Sequence, residues 1–175
     1  MLAIVLAAGR GRRVGGPKAL LDLEGTPALQ RVLTVLREGG LDAFRVVLGA
    51  GAREVAELVD LSGVEVVQTP DVDLGQTASL KAALSLAPVP APGFLLHPVD
   101  LPLIDSEAVQ ELLRAFEQRP PQAAIVLPSV DGRRGHPALF EQALAAEFLA
   151  LADDEPAHGI VRRNPARVHH VELDR

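Results

Sequence analysis

With 175 residues, 48% of them hydrophobic, the chain can bury a core without covalent staples, and residues 1–175 are expected to form one domain. It contains no cysteine, which excludes disulfides, thiolate zinc sites and cysteine nucleophiles. A formal net charge of −6 at pH 7 speaks against nucleic acid as a partner and for a small molecule. The lack of a leader pattern or of any run near ~18 apolar residues predicts a cytoplasmic protein that does not cross a membrane.

The apolar run Leu2 to Leu6 has the length and β-branching of a buried strand, and it ends at Ala7, Ala8 and Gly9. The loop that follows holds Gly9, Gly11, Gly15 and Gly16 with Arg10, Arg12, Arg13 and Lys18, and no acidic residue precedes Asp22. Glycines let backbone N–H groups converge on an anion and the cations supply charge, so the stretch reads as a nucleotide-phosphate loop. It is not a P-loop, because Pro17 separates Gly16 from Lys18 and Ala19 supplies no hydroxyl. Nor is it a dinucleotide fingerprint, since Val14 stands where the third glycine belongs. The plain alternative is a basic surface turn.

Thr26-Pro27 reads as a helix start, a capping hydroxyl followed by proline at the first helical position, with Leu29, Val32, Leu33 and Leu36 at helical spacing and Gly39-Gly40 as the stop. Strands are predicted over Phe44–Leu48 and Val64–Val67, with a helix over Glu54–Leu61 between them. The βαβαβ alternation predicts a three-layer α/β/α fold with a mostly parallel sheet, its ligands outside the carboxyl ends of the strands. Gly49-Ala50-Gly51 fits a plain strand-to-helix turn. Asp73 to Leu80 leads into a helix through Ala87, and Thr77 and Ser79 stand where caps or anion contacts belong.

Gly93 to His97 is a further buried strand, running into Pro98-Val99-Asp100-Leu101-Pro102. An aspartate framed by two prolines at a strand's carboxyl end is placed to hold a divalent cation, or else caps a turn. His97 reads as a core or strand-end histidine, because no second histidine or cysteine has ligand spacing with it. Asp105-Ser106 caps a helix with Val109, Leu112, Leu113 and Phe116 as its buried stripe, and Pro120-Pro121 ends it. A strand at Ala123–Leu127, a turn-rich loop at Asp131–Pro137, a helix at Leu144–Leu151 and a last strand at Val168–Leu173 complete the pattern. The acidic Asp153-Asp154-Glu155 reads as a solvated capping cluster, with metal binding as the alternative, and Arg162, Arg163 and Arg167 as a solvated basic edge.

Leu6 to Lys18, written L-A-A-G-x-G-x-R-x-G-x-P-K, resembles the signature loop of nucleotidyltransferases that join a nucleoside triphosphate to a phosphorylated acceptor and release pyrophosphate. That group includes molybdenum cofactor cytidylyl- and guanylyltransferases, sugar-1-phosphate nucleotidyltransferases and the cytidylyltransferase of isoprenoid synthesis. The resemblance implies a Rossmann-like sheet of the nucleotide-diphospho-sugar transferase type. It implies that Leu6, Ala7, Ala8, Gly9 and Gly11 meet base and phosphate, that Arg13 and Lys18 hold the triphosphate and stabilise the transition state, and that Gly75 and Ser79 touch the nucleotide. Asp100 is then a catalytic residue as the ligand of Mg2+, which offsets the repulsion between acceptor phosphate and α-phosphate. Gly132 to Phe140 resembles the G-x-x-G-H-P-x-x-F stretch of the cytidylyl branch, which places Arg134 or His136 near the acceptor phosphate.

The implied reaction is transfer of a nucleoside monophosphate, CMP favoured, from CTP to a phosphorylated small acceptor, with molybdopterin cofactor the leading acceptor. GTP as donor, a sugar 1-phosphate as acceptor, or a nucleotide-binding module with weakened catalysis are the alternatives. The sequence departs from the pattern at Val14, Gln76 and Ala78. It also departs at its end, where the group continues into an Asp-x-Asp-Thr-Pro-x-Asp segment and this chain reads Asp174-Arg175, leaving Asp174 or Asp153 as candidates for a second metal ligand.

Overall fold

The computed structural model describes residues 1–9, 11, 15–69, 75–152 and 154–173. Leu2–Ala7 forms β1, with strands paired along both its edges, and its side chains, Leu6 only partly, are buried on both faces beneath helices that cover the sheet on either side. Its neighbours are β4 (Ala43–Leu48) and β6 (Gly93–Pro98), both parallel to it, and β5 (Val64–Gln68) continues the parallel ladder beyond β4. On the other side of β6 come β9 (Ala138–Glu141), β7 (Ile125–Val130) and β10 (Val168–Glu172). The short β8 (Arg133–Arg134) pairs only with the end of β7. The sheet order is thus β10-β7-β9-β6-β1-β4-β5, mostly parallel, with β9 antiparallel to both its neighbours.

Helices cover both faces, as the alternation predicts. On one face α1 (Ala28–Glu38), α2 (Ala52–Leu58) and α4 (Ser106–Gln118) pack on Ala3, Val5, Val46 and Leu95. On the other, α3 (Gly75–Leu86), α5 (Leu144–Leu149) and α6 (Gly159–Arg163) pack on Ile4, Val47, Phe94 and Phe140. Phe94, Phe140 and Phe148 fill the centre of that second layer, with ring centroids 5.1 to 5.9 Å apart, the offset and edge-on contacts that aromatic quadrupoles favour.

Several local expectations change. Thr26-Pro27 does not open the first helix: it forms β3, which pairs with β2 (Asp22–Leu23) across a two-residue turn at Glu24 and Gly25. Both turn residues have positive φ, 55° and 86°, as a tight hairpin requires, and the Asp22 carboxylate accepts the Gly25 N–H. α1 then starts at Ala28 without a side-chain cap, its first N–H donating to the Leu21 carbonyl. α2 begins and ends earlier than Glu54–Leu61, and β7 begins and ends later than Ala123–Leu127. The basic edge is partly docked: Arg167 makes a two-pronged contact with Glu147 at 2.6 and 3.1 Å, and Arg163 pairs with Glu155.

Candidate active site at the carboxyl ends of β1 and β6

β1 and β6 run side by side with Leu6 opposite Pro98, so whatever follows each strand must meet at one end of the sheet. After β1 comes Gly9, and after β6 comes the turn carrying Asp100. The Val99 N–H donates to the Leu6 carbonyl at 3.0 Å, extending the ladder and locking that turn beside the opening loop. Lys18 returns across the gap. Its backbone N–H donates to the Gly9 carbonyl at 3.3 Å, and a Cβ on Gly9 would sit 3.5 Å from the Lys18 side-chain stem, so the lysine lies across the glycine. Lys18 Nζ then donates to Asp100 Oδ2 at 2.8 Å.

The loop and the aspartate, 82 residues apart, border a cavity of about 200 Å³ lined by Leu6, Ala8, Gly9, Lys18, Gly75, Gln76, Ser79, Val99 and Asp100. Seven residues singled out in the sequence therefore converge. Ala7 faces a second hollow of about 250 Å³, shared with Ala8, Gly9, Pro17 and Gly49 to Ala52. Gly51 is more than a turn residue there, because a Cβ would lie 2.4 Å from Pro17 Cγ. Gly11 is described but borders neither hollow, and Arg13, with Arg10, Arg12, Asp73, Asp153 and Asp174, lies outside the described residues. The Ser79 hydroxyl turns back to its own helix, donating to the Gly75 carbonyl at 3.4 Å.

A third and larger cavity, about 580 Å³, shares Gly75 and Gln76 with the first. It brings Arg134 and His136 together over an apolar floor that includes Leu96, Leu127, Phe140 and Phe148. Its far wall is the stretch from Asp154 to His158 with Arg162 of α6, where the sequence offers a capping or metal-binding acidic cluster and a solvated arginine. No spacing or motif in that stretch announces a cavity wall; the position follows from tertiary packing on α3.

Two histidines stand behind this arrangement. His97 is fully buried at the end of β6, and its Nε2–H donates to the Leu101 carbonyl at 2.9 Å, bracing the turn that presents Asp100. Burial pushes its pKa down to about 4, outweighing that bond, so it is neutral. His136 donates Nδ1–H to the Leu96 carbonyl at 3.3 Å, and burial lowers its pKa as well. A neutral His136 keeps Nε2 as an acceptor, which leaves Arg134 as the cation of this pair. The two rings meet edge-on, 6.3 Å between centroids.

The donor set can be tested against a divalent cation. Among the described residues no three His, Cys, Asp or Glu side chains form a metal cluster. Asp100 alone would suit a cation held mainly by phosphate oxygens and water, which is how magnesium sits with one or two carboxylates in phosphate-transferring sites. Among the described residues no helix is long and apolar enough to cross a membrane.

Residues 3–170 match the model of the MobA-like NTP transferase domain. The nicotine blue oxidoreductase of Paenarthrobacter nicotinovorans is 30% identical over 169 residues, covering 93% of this chain and 81% of its own. The molybdenum cofactor guanylyltransferase of Xanthomonas euvesicatoria is 32% identical over 116 residues, 66% of this chain and 55% of its own. The bifunctional enzyme IspD/IspF of Novosphingobium aromaticivorans is 32% identical over 151 residues, 84% of this chain, which spans only 39% of that longer protein. Among solved structures, Rv0371c of Mycobacterium tuberculosis superposes with a TM-score of 0.86 at 29% identity, covering 99% of this chain and 88% of that one. The same protein is known as a manganese complex, TM-score 0.82 at 27% identity, with 98% and 87% covered. A match over almost the whole chain, added to a glycine loop and a strand-end aspartate meeting at one edge of a mostly parallel sheet, places this chain in the MobA-like NTP transferase family of nucleotidyltransferases.

Proposed function

We propose that the chain transfers CMP from CTP to a phosphorylated small molecule, with molybdopterin cofactor the leading acceptor, and releases pyrophosphate. The observation that carries this reading is the pair of adjoining cavities: one with Lys18 and Asp100, the other with Arg134 and His136, meeting at Gly75 and Gln76. In the reaction an oxygen of the acceptor phosphate attacks the α-phosphorus, the new P–O bond forms, and the bond to the β,γ-pyrophosphate breaks. The backbone after β1 and Lys18 hold the triphosphate, and Lys18 follows the charge that develops on the leaving pyrophosphate; Arg13 is assigned the same task. Asp100 would hold the divalent cation, Mg2+ by preference, which supplies charge neutralisation between the reacting phosphates. Gly75 and Ser79 bound the nucleotide side, while Arg134 positions the acceptor phosphate. His136, neutral, accepts a hydrogen bond from the acceptor. No side chain needs to become covalently attached, so positioning and electrostatics carry the rate.

CMP is favoured over GMP on two sequence features, the G-R-R-G-H-P stretch and Ala8, because this chain reads L-A-A-G where guanylyl enzymes more often carry L-A-G-G, and the guanylyltransferase relative makes GTP the competing donor. The test is pyrophosphate release from CTP, GTP, ATP or UTP, with molybdopterin cofactor as acceptor and Mg2+ or Mn2+ present. Release from CTP above the others supports the proposal; release from GTP moves it to guanylyl transfer. The oxidoreductase name of one relative carries a second reading, redox chemistry in place of transfer, and no pyrophosphate from any nucleotide would favour it.

A further inference from the structure

We propose that Thr77 is a positioning residue that ties the far wall of the larger cavity to the first turn of α3, and so keeps the acceptor side in register with the nucleotide side. Thr77 is buried, and its hydroxyl makes two bonds across the fold. Oγ1–H donates to the Glu155 carbonyl at 2.8 Å, and the same oxygen accepts the Ala157 N–H at 3.0 Å. One turn along the same helix, Lys81 Nζ donates to the Leu151 carbonyl at 2.8 Å. The segment is therefore fastened to α3 at both ends. A threonine near a helix start ordinarily turns its oxygen to its own helix, as Ser79 does here toward Gly75, whereas both hydrogen-bonding capacities of Thr77 are directed to another segment.

Other bonds also hold the fastened stretch: the Glu155 N–H donates to the Ala152 carbonyl at 3.0 Å, the Ile160 N–H donates to the Ala157 carbonyl at 3.2 Å, and the Glu155 side chain pairs with Arg163. The described residues of the stretch form no strand, and the helix after it, α6, is five residues long. The Glu155 carbonyl and the Ala157 N–H, by contrast, find their partner in Thr77, where strand or helix neighbours would otherwise satisfy them. Asp154 to His158 line the larger cavity, and Gly75 and Gln76, immediately before Thr77, line both cavities. A displacement of the wall is consequently a displacement against the turn that borders the nucleotide side. The acceptor role of that wall rests on the reading given under Proposed function; the fastening does not.

The test compares Thr77→Val, which keeps the shape and removes both bonds, with Thr77→Ser, which keeps both. In the protein without ligands, amide hydrogen exchange at Ala157, whose N–H donates to Thr77, should quicken about tenfold or more in Thr77→Val, the loss of one to two buried hydrogen bonds, and stay at the wild-type rate in Thr77→Ser. Unchanged protection in Thr77→Val, or exchange in Thr77→Ser as fast as in Thr77→Val, would overturn the proposal. If Thr77→Val does not fold, Thr77→Ala enters the same comparison. In turnover with CTP, Mg2+ and molybdopterin cofactor, Thr77→Val should raise the acceptor KM about tenfold while kcat and the calorimetric affinity for CTP stay within about twofold. A loss of CTP affinity equal to the loss at the acceptor, or no change in acceptor KM, counts against it. Should the wild-type chain turn over no acceptor, the functional reading fails, and hydrogen exchange still decides the role of Thr77.

Discussion

Lys18 and Arg45 are both cations bonded to carboxylates, and their exposure makes them opposites. The Lys18 and Asp100 side chains are 44% and 40% exposed, so water already solvates the pair and its contribution to stability is about 0–1 kcal/mol. Lys18→Met and Asp100→Asn should therefore unfold at nearly the wild-type urea midpoint while pyrophosphate release falls about 10²–10³-fold, the cost of deleting one electrostatic stabiliser. A variant with full turnover would remove that residue from the mechanism. Arg45 is only 3% exposed on β4, and it accounts for carbonyls that α3 cannot satisfy itself: Nη1 donates to Ala83 and Ala87 at 3.1 and 2.9 Å, while Nε donates to Glu65 at 2.5 Å. Arg45→Met fills similar volume and orphans those carbonyls, so it should cost about 2–3 kcal/mol in urea unfolding and leave kcat unchanged.

At the level of elements, the parallel half of the sheet is legible from sequence because each strand is a separate apolar run ending in glycine or polar residues, as Phe44–Leu48 does before Gly49. β9 is not. Ala138, Leu139 and Phe140 are all buried between β6 and β7, so they show no period-2 alternation, and three apolar residues after a turn-rich loop are too few to declare a strand. The hairpin at Asp22–Pro27 was hidden for another reason: Thr-Pro suits a helix start as well as a strand end, and only pairing of Thr26 with Leu23 decides between them. What admits β9 is Gly93, the first residue of β6. A Cβ there would stand 2.0 Å from the Phe140 carbonyl oxygen, a backbone atom that cannot swing aside. Gly93→Ala should part the β6–β9 junction and destabilise the protein by at least about 2 kcal/mol by urea titration, in line with overpacking at a fixed contact. A change under about 0.5 kcal/mol, the usual range for a tolerated surface substitution, would show that the junction yields.

Across the whole molecule, the candidate site is assembled from segments that only the fold brings together. The glycine loop and Asp100 are legible because each follows an evident strand and strand ends share an edge. The wall at Asp154–His158 and the brace by His97 are not, since they depend on which backbone carbonyl lies within reach after packing. That packing has a pH signature. His97 and His136 are neutral in the folded protein with pKa values below the ordinary 6.5, His97 at about 4, because burial disfavours the imidazolium. Above pH 6.5 folded and unfolded chains are both neutral at these positions and nothing is lost. As the pH falls below 6.5 the unfolded chain binds protons that the folded chain refuses, so stability declines until the pH passes about 4 and His97 itself protonates. For His97 alone a shift from 6.5 to about 4 corresponds to roughly 3 kcal/mol over that window, at about 1.4 kcal/mol per pH unit. The carboxylate Glu147, held below its usual range first by its bond from Arg167, loses its contribution only as the pH falls beneath about 4.5, so the two effects separate on the pH axis. His97→Gln retains an N–H donor for the Leu101 carbonyl and cannot titrate. Urea unfolding free energies at half-unit intervals from pH 7.5 to about 4.5 should fall markedly less steeply in His97→Gln than in the wild type. Parallel slopes in the two proteins would mean that His97 takes up its proton without unfolding the site, and that burial at the end of β6 is shallower than its lack of exposure indicates.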